Sequence, residues 1–164
     1  MDCDAAADLA LLPASGFFHT EFTGAYARLF APGHPFWAAF EGLGFGAAEA
    51  AVADAGLSSV TLEQFQVVSA QKLSPAKIPI LAVCCRHARS DALPVWSGVA
   101  EALGELAQLT DDVLDWREDL ARGAATWFLS EAERRRQAGE STTAWILREG
   151  FDRGVEQLRD RYRA

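Results

Sequence analysis

The sequence predicts an all-α domain of about seven helices. Ala, Leu, Glu, Gln and Arg dominate the chain, and alternating runs of β-branched residues are nearly absent. Proline and glycine interrupt the chain at intervals that suit helices. Half of the 164 residues are hydrophobic and 23% are charged, which is ordinary for a globular protein with one core. We therefore predict a single all-helical domain over residues 1–164.

Each predicted helix runs between a start signal and a stop signal. The first helix ends at the proline-containing segment 31–35, and the second ends at Gly56. Thr61 and Gln64 have the spacing of a capping box, which starts the third helix. On this basis we predict helices at 17–30, 36–55, 61–73, 75–89, 94–122, 131–137 and 142–164.

The later helices carry signals of the same kind. Ser74 is a candidate cap for the fourth helix, and Pro79 is placed to bend its first turns. The long fifth helix ends at Gly123, because glycine is the usual residue after the last helical turn. Ser141 or Thr142 caps the last helix.

The net charge of −8 is unevenly distributed along the chain. Residues 1–120 hold 16 acidic and 6 basic side chains, whereas residues 121–164 hold 7 acidic and 9 basic ones. An acidic body argues against nucleic acid as the main partner, because the phosphate backbone requires basic contacts. The same charge is compatible with cation binding.

Other features indicate a cytoplasmic protein without a transmembrane segment. No unbroken apolar run reaches the roughly 18 residues that suggest a membrane-spanning helix. The first residues are acidic, whereas a secretory signal begins with basic residues. Cys84 and Cys85 are adjacent and Cys3 stands alone, so we expect packed, reduced thiols rather than a disulfide or a zinc site.

The segment 108–119 is the strongest functional signal, with five carboxylates in nine residues. In a continuous helix, Asp111, Asp115 and Asp119 lie on one stripe, where their like charges repel. A Mg²⁺ ion would relieve this repulsion, since it prefers hard oxygen ligands. The candidate metal ligands are Asp111, Asp112, Asp115, Glu118 and Asp119.

The same segment has an ordinary structural interpretation. Most apolar residues of the predicted helix fall on the side opposite the acidic stripe. That distribution is typical of an amphipathic helix whose acidic side faces water. The apolar residues are Val99, Leu103, Leu106, Leu109, Val113 and Leu120.

The order of these residues resembles two known motifs. Gln108-x-x-Asp111-Asp112-x-x-Asp115 resembles the second aspartate-rich motif of the trans-prenyltransferases. Asp115-x-x-Glu118-Asp119 is similar to the second motif of squalene and phytoene synthases. The chain therefore resembles the C-terminal half of a class I isoprenoid synthase, over about residues 17–136, and an isoprenoid-synthase-like helical bundle of half length is expected.

That resemblance implies an activity and the residues that carry it. The ligand would be a prenyl diphosphate of the C10–C20 class, and the cofactor would be Mg²⁺ held by Asp111, Asp115 and Asp119. In the implied reaction the metal would neutralise the diphosphate leaving group, an allylic carbocation would form, and Gln108 would orient the substrate or a metal-bound water. Such an enzyme is a prenyltransferase or a terpene synthase.

The resemblance also implies basic groups that bind the diphosphate. Lys77, near the start of the helix before the acidic one, is the first candidate, and Lys72 is the second. A lysine near a helix N-terminus favours an anion, although a solvated turn is the alternative. Arg161 and Tyr162 resemble the Arg-Tyr pair of some terpene synthases, and a solvated terminal helix is their ordinary explanation.

Two further expectations follow from the resemblance. A cavity for the isoprenoid chain requires apolar lining, for which ordinary core packing is the alternative role. The first aspartate-rich motif has no recognisable counterpart, since Asp4 and Asp8 lack the paired carboxylates. The candidate lining residues are Phe36, Trp37, Phe40, Phe45, Phe65 and Trp96.

The missing first motif leaves several roles open. The chain is expected to be a subunit of a split enzyme, a binding or regulatory subunit, or a fragment. A partner protein or a homo-oligomer is expected, because half of such a fold would expose apolar surface. The alternative function is a non-catalytic helical interaction subunit whose acidic helix faces solvent.

Overall fold

The computed structural model describes residues 19–163, apart from the side chains of residues 161 and 162. Within that range the chain is helical and has no β-strand, which confirms the predicted all-α class. A 3-10 turn (Ser74–Lys77) precedes α4, and a π-helical segment (Ile146–Gly150) joins α8 to α9. The helices are α1 (19–27), α2 (Pro35–Ala55), α3 (Leu62–Lys72), α4 (Ile78–Arg86), α5 (Leu93–Leu114), α6 (Trp116–Arg122), α7 (Trp127–Arg135), α8 (Thr142–Trp145) and α9 (Phe151–Arg163).

Several predicted helix ends are confirmed. The capping box before α3 is present: Thr61 Oγ1 accepts from the Gln64 N–H at 3.2 Å, and Gln64 Oε1 accepts from the Thr61 N–H at 2.9 Å. Gly123 adopts the left-handed conformation, with φ of 69°, directly after α6. Ser141, rather than Thr142, caps α8 and accepts from the Ala144 N–H at 3.1 Å.

Other predicted boundaries are wrong. Ser74 caps no helix; it lies in the 3-10 turn, and α4 begins at Ile78, so Pro79 occupies a first turn that tolerates it. The helix predicted over 131–137 corresponds to α7, which begins four residues earlier, at Trp127, because Thr126 caps it and accepts from the Leu129 N–H at 3.2 Å. The helix predicted over 94–122 is divided at Asp115 into α5 and α6.

The core has two clusters of buried apolar side chains. One cluster joins α2, α4 and the segment after α1 through residues such as Phe36, Leu81 and Phe30, and Tyr26 of α1 packs against it. The other surrounds the C-terminal half of α5 and includes residues of α3, α7, α8 and the π-helical segment. Its members are Val60, Phe65, Leu109, Val113, Trp116, Trp127, Phe128, Leu129, Ala132, Trp145 and Ile146.

Two glycines permit close contacts with α5. A Cβ at Gly104 would lie 1.9 Å from Leu73 Cδ1 and 3.2 Å from Leu73 Cβ, so glycine is needed where α5 meets the end of α3. A Cβ at Gly154 would lie 2.9 Å from Val113 Cγ2, where α9 meets α5. These two contacts bring α3 and α9 close to the helix that carries the acidic residues.

We predict that Gly104→Ala and Gly98→Ala, both in α5, have opposite effects on stability. Nothing lies within 4 Å of a Cβ at Gly98, so alanine there should stabilise the protein by about 0.5–1 kcal/mol through helix propensity. At Gly104 the added methyl displaces Leu73, and overpacking costs about 1–3 kcal/mol. Urea denaturation measures both values, and equal stabilisation by the two variants would contradict the close packing.

Candidate functional site

An acidic cavity of about 530 Å³ lies where the ends of α2 and α3 meet α5, α6 and the segment that leads into α7. It contains five carboxylates and two cationic groups, so negative charge is in excess. The lining residues are Asp54, Ala55, Leu57, Lys72, Gln108, Asp111, Asp112, Asp115, Asp119, Arg122, Gly123, Ala124, Ala125 and Thr126.

Most of the sequence-predicted site residues meet in this cavity. Gln108, Asp111, Asp112, Asp115 and Asp119 all line it, although the helix that was expected to carry them in one piece is broken. The break leaves the stripe intact, because backbone hydrogen bonds continue across it. The Asp115 N–H donates to the Asp111 carbonyl at 2.8 Å, and the Asp119 N–H donates to the Asp115 carbonyl at 3.1 Å.

The two lysines lie in different places. Lys72, the second candidate in the sequence, lines the cavity, where its Nζ lies 2.8 Å from Asp54 Oδ2. Lys77 instead forms an ion pair with Glu101 in the N-terminal half of α5, away from the cavity lining. The fold therefore brings Lys72 rather than Lys77 to the aspartates.

Among the other predicted residues, Glu118 is the one whose side chain the structure describes. Glu118 does not line the cavity; it is exposed and forms an ion pair with Arg122 at 2.8 Å. The side chains of Arg161 and Tyr162 lie outside the described residues. Asp4 and Asp8 also lie outside them.

Asp112 is the buried member of the acidic group, with 4% of its surface exposed. Its pKa is raised to about 6, mainly by burial and to a smaller extent by the nearby charges of Asp119 and Asp54. Gln108 Nε2 donates to Asp112 Oδ1 at 3.0 Å, and the Trp127 N–H also favours the ionised carboxylate. Asp112 therefore changes its charge in a weakly acidic range.

Asp119 lies half-buried at the α6 side of the cavity. Burial raises the pKa of its carboxyl, the Arg122 guanidinium lowers it, and the charges of Asp115 and Glu118 raise it. Asp111 and Asp115 are exposed along the open side. The acidic segment of α5 and α6 thus contributes one deeply buried carboxylate and three that a ligand can reach.

Asp54 is a site residue that the sequence did not reveal. It lies near the end of α2, and its charge acts on Asp112 across the cavity. Its ion pair with Lys72 is partly exposed and contributes no more than about 1 kcal/mol to stability. A single aspartate in an alanine-rich segment carries no motif, and its partner lies 18 residues away, so no local pattern could identify it.

The carboxylates of the acidic cavity could bind a hard divalent cation only if other ligands, such as water or phosphate oxygens, completed its coordination shell. Among residues 19–163, no three His, Cys, Asp or Glu side chains form a group that could hold a metal ion by themselves. Mg²⁺ requires no such group, since it commonly binds one or two carboxylates and completes its shell with water and phosphate oxygens. Asp111, Asp115 and Asp119 are the accessible oxygen donors for such an ion.

The orientation of α5 differs from that of an amphipathic helix with a solvated acidic side. Gly104, Glu105 and Asp112 are buried on its polar side. On the apolar side, Leu109 and Val113 are buried, whereas Val99 and Leu103 are exposed. Most of the polar side therefore faces the protein, and much of the apolar side faces outward.

An apolar cavity of about 840 Å³ lies apart from the acidic one, between α1, α2 and the start of α4. Of the six aromatic residues expected to line an isoprenoid cavity, Phe40 and Phe45 line this one. The two cavities share no lining residue. The other four are placed differently: Phe36 and Phe65 are buried in the core, Trp37 packs against it, and Trp96 is exposed.

Comparison with protein-family models, with curated proteins and with solved structures finds no match for this chain. The residues and the geometry of the cavity are therefore the indicators of function. As for membranes, none of the helices described in residues 19–163 is both long enough and apolar enough to span one.

We predict that Asp112→Asn alters the pH dependence of stability. The pKa of Asp112 is higher in the folded state than the usual value near 3.9, so the folded state binds the proton more tightly. Its contribution is therefore greatest below about pH 4 and is lost as the pH rises through about 6, a change of about 2–3 kcal/mol. Relative to the wild type, the variant should become more stable as the pH rises over this range.

The measurement is the free energy of unfolding by urea at pH 4 to 8. Asp111→Asn, on the exposed neighbouring residue, is the matched control and should follow the wild type. A constant difference between Asp112→Asn and the wild type across this range would contradict a buried carboxyl with a raised pKa.

Proposed function

We propose that the acidic cavity binds Mg²⁺ together with a prenyl diphosphate, as part of a class I prenyltransferase or terpene synthase. One observation carries this proposal: Asp111, Asp115 and Asp119 line the same cavity as Lys72, which comes from a different helix. Carboxylates alone repel a diphosphate, whereas carboxylates beside a cationic side chain suit a metal–diphosphate complex.

The accessible carboxylates have the chemistry that Mg²⁺ requires. Asp111, Asp115 and Asp119 would hold the metal, which supplies positive charge to the diphosphate leaving group. The raised pKa of Asp119 reflects burial and neighbouring negative charge, both of which a bound cation would offset. Glu118 has no such role in this proposal, since it lies outside the cavity lining.

The basic side chains bind the anion directly. Lys72 donates to Asp54 but is about one-third exposed, so its ammonium group has further donors for phosphate oxygens. Arg122 also lines the cavity and can offer its guanidinium group in the same way. Gln108 holds Asp112 through its amide, which makes it a positioning residue for the buried carboxylate.

A partner or an upstream segment is part of this proposal. On α2, Asp54 is the carboxylate that faces the acidic segment of α5 and α6. The first aspartate-rich motif has paired carboxylates, which Asp54 alone does not supply. The described part of the chain also places the apolar and acidic cavities apart, with no shared lining. The prenyl chain would therefore contact apolar surface that a partner supplies.

The second candidate is a non-catalytic interaction or regulatory subunit. The exposed apolar side of α5 favours it, since large apolar patches mark sites of protein association. This function requires neither Mg²⁺ nor a diphosphate. Ligand binding by the chain therefore distinguishes the two candidates.

We predict Mg²⁺-dependent binding of farnesyl diphosphate to the folded chain, measured by calorimetry. Mg²⁺ with pyrophosphate at 100 times its dissociation constant should stabilise the protein by about 2.7 kcal/mol. The double variant Asp111→Asn, Asp115→Asn should lose both effects, and Glu63→Gln, an exposed carboxylate outside the acidic cavity, should keep them. No binding at millimolar ligand by folded protein would favour the interaction subunit.

The two lysines provide a matched pair of variants. Lys72→Met removes a cation from the cavity and should weaken diphosphate binding by about 10- to 100-fold, since a charge-assisted hydrogen bond contributes about 1.5–3 kcal/mol. Lys77→Met should bind normally, because Lys77 pairs with Glu101 elsewhere. Weaker binding by Lys77→Met with normal binding by Lys72→Met would place the diphosphate at a different site.

A further inference from the structure

Both cationic side chains that line the acidic cavity are already paired with carboxylates of this chain. Lys72 Nζ lies 2.8 Å from Asp54 Oδ2, and Arg122 Nη2 lies 2.8 Å from Glu118 Oε2. The Lys72 pair joins two helices, and its side chains are 32% and 30% exposed, whereas both side chains of the Arg122 pair are 69% exposed. Exposed pairs within one helix are weak, so the contact with Asp54 is the firmer of the two.

The ends of two helices favour the contact between Asp54 and Lys72. Asp54 is the second-last residue of α2, where the negative end of the helix dipole disfavours a carboxylate, and the last turn of α2 has no basic residue. Lys72 is the last residue of α3, where the same effect favours a cation. Lys72 therefore offsets both the Asp54 carboxylate and the negative end of its own helix.

In this arrangement the cavity repels an anion when no metal is bound. Besides Asp54, the carboxylates of Asp111, Asp115 and Asp119 line it within reach of a ligand. Pyrophosphate would have to displace Asp54 from Lys72 against this excess of negative charge. A divalent cation changes the balance, because it reduces the excess charge and competes with Lys72 for the Asp54 carboxylate.

We propose that Asp54 is an internal competitor for Lys72, which makes the binding of a diphosphate in the acidic cavity depend on a divalent cation. The metal enters first, and Lys72 then passes from Asp54 to a phosphate oxygen. Asp54 is thus a residue that determines the specificity of the cavity for a metal–diphosphate complex over the free anion. This inference rests on the proposed function, because it assigns Lys72 to the diphosphate.

The test is the binding of pyrophosphate to the full chain without metal, with a chelator present and at constant ionic strength. An NMR titration measures weak affinities and also shows that each variant is folded. Asp54→Asn keeps the shape of the side chain and removes its charge. It should raise the metal-free affinity about 5-fold or more over the wild type, the ratio that corresponds to an ion pair of about 1 kcal/mol. An unchanged or lower affinity would overturn the proposal.

Lys72→Met distinguishes the release of Lys72 from the simple loss of one negative charge. Asp111→Asn is the matched control, because it removes a carboxylate of the same cavity while Lys72 remains paired with Asp54. Combined with Asp54→Asn, Lys72→Met should abolish the gain in metal-free affinity. In the wild type and in Asp111→Asn, it should change that affinity by no more than about 2-fold. An equal effect in all three backgrounds would overturn the proposal, since the gain would then be a general effect of charge.

The same titration with Mg²⁺ separates this inference from the proposed function. Mg²⁺ should raise the affinity of the wild type more than that of Asp54→Asn, because the variant needs no metal to release Lys72. Binding by the wild type with Mg²⁺, together with no metal-free gain in Asp54→Asn, would overturn the inference and leave the proposed function in place. No binding by the wild type with Mg²⁺ would overturn both.

Discussion

The burial of Asp112 is the constraint on which the rest of this structure depends. A carboxylate is costly to bury, so it requires hydrogen-bond donors close to it. Gln108 donates from the preceding turn of α5, and the Trp127 N–H does so from the start of α7. These contacts fix the rotation of α5 about its axis and connect it to α7, whose aromatic residues Trp127 and Phe128 complete the core.

That rotation produces both notable surfaces of the molecule. With Asp112 inward, the neighbouring aspartates line a cavity with Lys72 instead of spreading over an exposed helix side. The apolar residues half a turn away, among them Leu103, must then face outward. The acidic cavity and the exposed apolar residues of α5 are therefore two consequences of one helix orientation.

Local signals predicted much of the fold, and distant contacts determined the remainder. The all-α class, the capping box at Thr61 and the helix end at Gly123 follow from residue type and short spacing, and all are confirmed. The grouping of Asp111, Asp115 and Asp119 was also predictable from helical spacing. The position of Lys72, rather than Lys77, beside these aspartates could not be predicted, because it depends on how α2 and α3 pack. The orientation of α5 could not be predicted either, because helical periodicity distinguishes a polar and an apolar side of a helix but does not show which of them is buried.

The π-helical segment Ile146–Gly150 determines the direction of the C-terminal helix. Its wider turn takes one more residue than an α-helical path would, so every later side chain is rotated by about 100°. Gly154 reaches Val113 on α5 only with that rotation. A one-residue deletion within this segment would restore regular helix and turn a different side of α9 toward α5. The number of residues in this segment is thus a stricter requirement than their identity, so insertions and deletions should be tolerated far less than substitutions.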